Sequence, residues 1–499
     1  MRAHTAALCL WVALGATAAS GCAGARTAGR GQDRLAYGAY LRGLMLERSS
    51  HLPEALDAYH KALQHDHASA ALHVRMGATC LKLGKMDQAL EEFKRALELR
   101  PEQPDALRWV AMLYASQGQL DEAVDAYERL LKLQPQDEFV MSTLADLYVL
   151  QSELPKAIAM YQALIDLDGP SSQLYFNLGV LYGRLNRFDD AIEELSHAFE
   201  LSPDSLDVRI ALGLTYELAG RFPQAAAHYA DAIHLDPFNP RLYHHAARAY
   251  LNGRQFGEAA ANYHAILDMT PGDLEAIMGL VRVWLAQHQY DEAEAFLGKM
   301  MEELGPSPEL YIALGIVYRE AKQAEEAMRA FERAISEQGD YAQAHFYLAA
   351  QLDQLGRKQE ARETLRRTLE LDPNHPDALN YLGYLDAEAG VSLNEAQELI
   401  EHALELDPDN GAYMDSLGWV YFKMGRLDES IELLEHAAEL LDTDPVIFDH
   451  LGEAYLERHD VERAKHSWQR ALELEPNDAI QEKLNRVMSH EPVGAVHDE

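Results

Sequence analysis

Apolar positions along this chain recur with two periods at once. Within short stretches they return every three or four residues, which puts them on one face of an α-helix. The whole arrangement then repeats every 34 residues. Alanine marks the frame at positions 55, 89, 123, 157, 191, 225, 259, 293, 327 and 361, and one extra residue near 390–394 moves it to Ala396, Ser430 and Ala464. A second series is also small: Gly43, Gly77, Ala111, Ala145, Gly179, Gly213, Ala247, Gly315, Ala349, Gly383, Gly418 and Gly452, broken only by Val281. Four residues after a frame alanine comes a large apolar side chain, as at Tyr59, Phe93, Tyr127, Tyr161, Tyr229, Tyr263, Phe331 and Trp468. Small residues let two helices approach, and large ones fill the gap against the next helix. The pattern predicts paired helices copied end to end.

Most of the 19 prolines fall at the boundaries this frame predicts. Pro101, Pro135, Pro203 and Pro237 close repeats, Pro104, Pro240, Pro308, Pro376 and Pro445 open first helices, and Pro53, Pro155 and Pro223 open second helices. Proline is tolerated in a helix's first turn, where its missing N–H costs nothing. The spacing L-G-x2-Y, then A-x3-F/Y, then A-x4-P resembles the tetratricopeptide repeat. The fifth unit carries it most plainly, in Leu178, Gly179, Tyr182, Ala191, Ala198 and Pro203. The resemblance runs from Ala36 to Asp478. It implies an all-α, right-handed α-solenoid of about thirteen helical hairpins with a concave groove. Residues 479–488, with Ile480, Leu484 and Val487 on one side, are expected to form a C-terminal capping helix, and 489–499 a disordered tail.

The first residues read differently. Ala6–Ala18 is an apolar run of secretory-signal length, too short to span a bilayer comfortably. It leads into Ala19, Ser20, Gly21 and Cys22, which resemble the lipobox of bacterial lipoproteins. That resemblance implies that residues 1–22 are a lipoprotein signal peptide and that Cys22 is the lipidated mature N-terminus. Ala23 replaces the aspartate associated with inner-membrane retention, so the implied location is the outer membrane, facing the periplasm. Residues 23–35 are expected to be a flexible tether.

Charge narrows the partners. The net charge of −38 and pI near 4.9 describe a carboxylate-rich surface that repels nucleic-acid phosphates. Three cysteines, Cys9, Cys22 and Cys80, cannot build a disulfide framework. The chain has no zinc-protease, phosphate-loop or nucleophile-elbow motif. His60, His65 and His67 do not share one helix side, and His244 and His245 are adjacent and diverge by about 100°. No cofactor and no metal are expected, and a chain filled with repeats leaves no room for a catalytic domain.

Family geometry places certain first-helix positions on the groove, and three regions follow from it. One presents Arg75, Lys82, Arg108 and Trp109; another presents Arg241, His244, His245, Arg248 and Arg282. Arg241, Arg248 and Arg282 are candidate anion ligands for an acidic peptide or carboxylate. In the third, Asn380, Asp415 and Asp449 recur at one groove position, and Tyr384, Trp419 and Glu453 recur four residues later. Flat rings beside carboxyl and amide groups suit partner binding. Packing between neighbouring helices is the competing explanation for Trp419 and Trp468. The lysine and asparagine clamp of chaperone-binding members is not reproduced. The expected function is a non-catalytic scaffold lipoprotein that holds partner-protein segments in its groove and organises a cell-envelope assembly or export complex. The alternatives are an envelope glycan-binding module and a regulatory subunit that docks an envelope enzyme.

Overall fold

The computed structural model describes residues 30–489. The expected signal peptide, Cys22, most of the tether and the tail beyond Ser489 lie outside the described residues. Among the described residues there are 27 α-helices and no strand. Helices α1 (Arg30–Arg48) and α2 (Leu52–Leu63) form the first hairpin, and the same two-helix unit recurs up to α25 (Pro445–Glu457) and α26 (Val461–Leu474). Helix α27 (Asp478–Met488) follows as the expected cap, burying Ile480 and Leu484 against the last hairpin.

Two boundaries differ from expectation. Helix α1 begins at Arg30, so residues 30–35, assigned to the tether, are helical. Gln32, Arg34, Leu35 and Ala36 are good helix formers, and no proline stops the helix here as Pro104 and Pro240 do in later units. The chain also divides after Gly253 into two compact units. The seventh predicted hairpin therefore has its first helix, α13 (Pro240–Asn252), in one unit and its second, α14 (Phe256–Met269), in the other.

The hairpins are built on the contact the sequence marks. An ideal Cβ added at Gly77 would lie 2.7 Å from the Phe93 ring, and one at Gly213 would lie 2.6 Å from Tyr229. Both rings are fully buried, as are Tyr59, Phe331 and Trp468 at the same place in other hairpins. Val281 now has a physical account. In α15 (Leu274–Ala286) the glycine sits two residues earlier, and a Cβ at Gly279 would enter the ring of Tyr263 from α14. Val281 itself packs with Ala293 and Leu297 of the following helix, so the close approach in α15 is made at Gly279, toward the preceding helix.

The turn inside each hairpin has a second 34-residue signature. Gly84, Gly118, Gly220, Gly356 and Gly425 have φ between +70° and +77°, and Ser50, Ser152, Asn186, His288, Lys322 and His459 hold the equivalent place with φ between +57° and +66°. The inserted residue is absorbed at this turn, where Gly390 and Ser392 are both left-handed, with φ of +65° and +46°. Side chains pay steric strain in this region and glycine does not. Lys322→Gly is expected to stabilise the protein by about 0.5–1 kcal/mol, checked by chemical denaturation.

Candidate functional site

The predicted partner-binding residues sit on first helices of consecutive hairpins in the second unit. These are α21 (Pro376–Glu388), α23 (Gly411–Lys423) and α25, with α21 packed on α23 and α23 on α25; α19 (Ala342–Gln354) is the first helix of an earlier hairpin in the same unit. Equal phase in each helix lines up Asn380, Asp415 and Asp449, with Tyr384, Trp419 and Glu453 one turn on. The structure brings these residues into one strip and shows what most of them already hold.

Trp419 is only 7% exposed. Its indole stacks on Phe422 at 4.8 Å and on His450 at 4.1 Å, and its Nε1–H donates to Glu388 at 2.7 Å. Lys423 places its ammonium 4.5 Å from the ring centre. Asp415 is buried and accepts from His450 Nδ1 at 2.8 Å. Asp449 accepts from Trp468 Nε1 at 2.9 Å and, at 2.8 Å, from Lys483 of the capping helix, which also pairs with Glu453 at 2.8 Å. Burial opposes the charge on Lys483, and hydrogen bonds to the two carboxylates outweigh it, so its pKa is raised. Tyr384 is half-buried, and burial with the nearby Glu388 and Asp415 carboxylates raises its phenol pKa. Asn380 behaves differently, because its buried Oδ1 has no hydrogen-bond partner. The same holds for Oδ1 of Asp353 on α19, whose other oxygen accepts from Tyr381 at 2.8 Å. Two side-chain acceptors on neighbouring first helices thus keep unused capacity.

The cationic regions are less available than their sequence suggests. Lys82 pairs with Glu47 at 2.6 Å, Arg108 with Asp137, and Trp109 stacks on Phe93 at 5.9 Å. Arg248 donates to Glu217 at 2.6 Å. Arg241 is exposed on α13 of the first unit, whereas Arg282 is exposed on α15 of the second.

Two sets of contacts were not anticipated. In the first, an aromatic side chain of the second helix reaches an acid on its own first helix, and a base from the next unit meets that acid. Tyr59 donates to Glu47 beside Lys82, and Tyr229 donates to Glu217 beside Arg248, as Trp468 does to Asp449 beside Lys483. In the second, the tyrosine of L-G-x2-Y bonds the preceding hairpin. Tyr148 donates to Glu128 at 2.7 Å, Tyr421 to Glu401 at 3.3 Å, and Tyr455 to Glu435. A cation covers each ring: Lys156, Arg426 and Arg463 respectively. The separation of 20 residues between acid and tyrosine in these three was the available signal, and Tyr318 departs from it by donating to Glu294, 24 residues back. A further pair, buried Asp386 with Arg362 and Arg366 of α20 (Lys358–Leu371), had no periodic signal at all.

Among the described residues, no group of three or more His, Cys, Asp or Glu is placed to hold a metal ion, and no helix is long and apolar enough to cross a membrane. The fold is that of a helical-repeat protein built from paired α-helices. Tetratricopeptide repeat models match residues 79–138, 142–195 and 176–240, then 250–315 and 318–382, and finally 411–441, which together exceed half of the chain. The chain belongs to the tetratricopeptide repeat family. No curated protein matches it. Similar solved structures include the APC/C hetero-tetramer Cut9-Hcn1, at 15% identity and TM-score 0.43, covering 91% of this chain and 96% of that one. Yeast Tom70 is similar at 15% identity and TM-score 0.41, over 84% and 94%. The MamA protein is similar at 24% identity and TM-score 0.32, over 34% of this chain and 92% of that one.

The tyrosine contacts give a pH dependence. Burial, reinforced by the hydrogen bond to its glutamate, pushes the phenols of Tyr318 and Tyr455 up to about 12. A raised folded pKa means the native state keeps protons that the unfolded chain has released. Their contribution is whole below pH of about 10 and is lost as pH rises through about 12. Denaturation midpoints are therefore expected to fall over that window, and to fall less steeply in a Tyr318→Phe, Tyr455→Phe double variant.

Proposed function

We propose that this protein is a non-catalytic scaffold, anchored by lipid on Cys22 to the bacterial outer membrane and facing the periplasm. In this reading it holds an extended segment of a partner protein along α19 and α21 and organises a cell-envelope assembly. Family membership supports protein binding, because tetratricopeptide folds generally bind protein partners. The apolar run and the Ser20-Gly21-Cys22 sequence support the anchor. The observation that carries the site is the cluster of unused polar atoms on α19 and α21, Asn380 Oδ1 and Asp353 Oδ1 together with both side-chain amide atoms of Gln351. A buried acceptor without a partner is costly, and a segment that parts the neighbouring side chains enough to bring a backbone N–H to Asn380 Oδ1 relieves that cost.

Asp415, Trp419, Asp449 and Glu453 then act as the rigid support of the site rather than its contact points. The glycan alternative gains nothing from the geometry, since the 7% exposed Trp419 offers no ring face to a sugar. Nucleic acid is not among the proposed partners, because a chain of net charge −38 repels it.

The test places p-benzoylphenylalanine at exposed Gln354, the last residue of α19, and irradiates native membranes. A discrete envelope-protein adduct is expected. Asn380→Ala is expected to lower its yield about tenfold, the equivalent of one good hydrogen bond. If no protein is captured, or if Asn380→Ala leaves the yield unchanged, the site is wrong.

A further inference from the structure

Among the described residues no hairpin precedes α1, and its outward face is unusually apolar and exposed. Met45 holds the position at which Leu113, Leu147, Leu181 and Val317 are buried in later hairpins, yet it is 70% exposed. Tyr37 is 64%, Leu35 59% and Leu41 38% exposed. At about 100° per residue, Tyr37, Leu41, Met45 and Leu35 fall within one arc of about 160°, and Arg34 and Arg42 fall inside it. Both arginines are exposed, and Gly38 on the same face has nothing within 4 Å of an added Cβ. Of the two acids of this helix, Glu47 is turned away to Tyr59 and Lys82, and Asp33 falls about 40° outside the arc. Glu54 and Asp57 of α2 line the adjoining groove with Arg34, Arg42 and Lys61, so the acids sit beside the ridge rather than on it.

The charge of this region is reversed as well. From Ala23 to Arg48 the sequence holds Arg26, Arg30, Arg34, Arg42 and Arg48 against only Asp33 and Glu47, in a chain of net charge −38. Exposed apolar side chains interleaved with arginines are the composition of a helix that lies in a bilayer interface, with arginine stems running along the apolar surface and their heads in the headgroup layer.

We propose that the Tyr37–Leu41–Met45 ridge of α1 rests on an anionic bilayer surface as a second membrane contact. The proposal builds on the reading of Cys22 as the anchor. Residues 23–29 lie between Cys22 and the start of α1, a length of chain that spans at most about 25 Å. Such a contact also fixes which end of the first unit faces the lipid.

The test uses the full chain, purified from native membranes and reconstituted into vesicles of phosphatidylcholine and phosphatidylglycerol. The photoreactive residue is introduced as Met45→p-benzoylphenylalanine or, as a control, at Met86, which is 46% exposed in α4 (Met86–Leu99). Lipid adducts at position 45 are expected to exceed those at 86 about tenfold, and to decline when phosphatidylglycerol is omitted. Equal yields at the two positions overturn the proposal, as do chain-to-chain adducts at 45, which would make the ridge a contact between copies. The mass of the Cys22 peptide is read from the same sample. An unacylated Cys22 removes the anchor, while the comparison of 45 with 86 on vesicle-bound protein still decides the ridge.

Discussion

The fold depends on one close approach, a small residue on the first helix of a hairpin lying against a large ring on the second. At Gly77 and Phe93, or Gly213 and Tyr229, no β-carbon fits between them. Each such contact brings two helices close and leaves the pair with apolar surface on both flanks. The next hairpin covers that surface. The core is thus renewed at each unit, and stability is a chain of neighbour contacts rather than one large interior.

Polar side chains follow the same neighbour logic. Tyr148, Tyr421 and Tyr455 reach back to acids of the preceding hairpin, and Lys82, Arg248 and Lys483 reach back to Glu47, Glu217 and Asp449. These bonds fix the register of each unit on the last without adding bulk. They also occupy most carboxylates and aromatics that would otherwise be read as a recognition surface. The proposed partner site is the short stretch around Asn380 and Asp353, next to Trp419, whose position is held by His450 and Glu388.

Most of the architecture was legible because it is periodic. Thirteen hairpins, the extra residue near 390 and the cap over 479–488 all follow from a 34-residue frame that the structure repeats. Val281 was visible as a break, but its meaning was not. Only the geometry shows that α15 makes its closest approach two residues earlier, at Gly279 against Tyr263, while Val281 packs with Leu297. The candidate site was half legible. Phase placed Asn380, Tyr384, Asp415, Trp419, Asp449 and Glu453 in one strip, but phase does not report which polar atoms are already bonded. Trp419 looked like a contact residue because it falls on a groove position, and it is buried because Phe422 and His450 pack on it. Asp386 with Arg362 occurs once and carries no repeat, so sequence periodicity had nothing to say about it.

Hydrogen exchange read residue by residue tests the claim of neighbour-only stability most directly. In Gly77→Leu the added side chain forces α3 (Ala70–Lys82) away from Phe93 on α4, at a cost of about 1–3 kcal/mol. Faster exchange is expected in α3 and α4 and, more weakly, in the hairpins on either side, with residues 376–488 unchanged. Acceleration of similar size along the whole chain would mean one cooperative core, and would contradict the account.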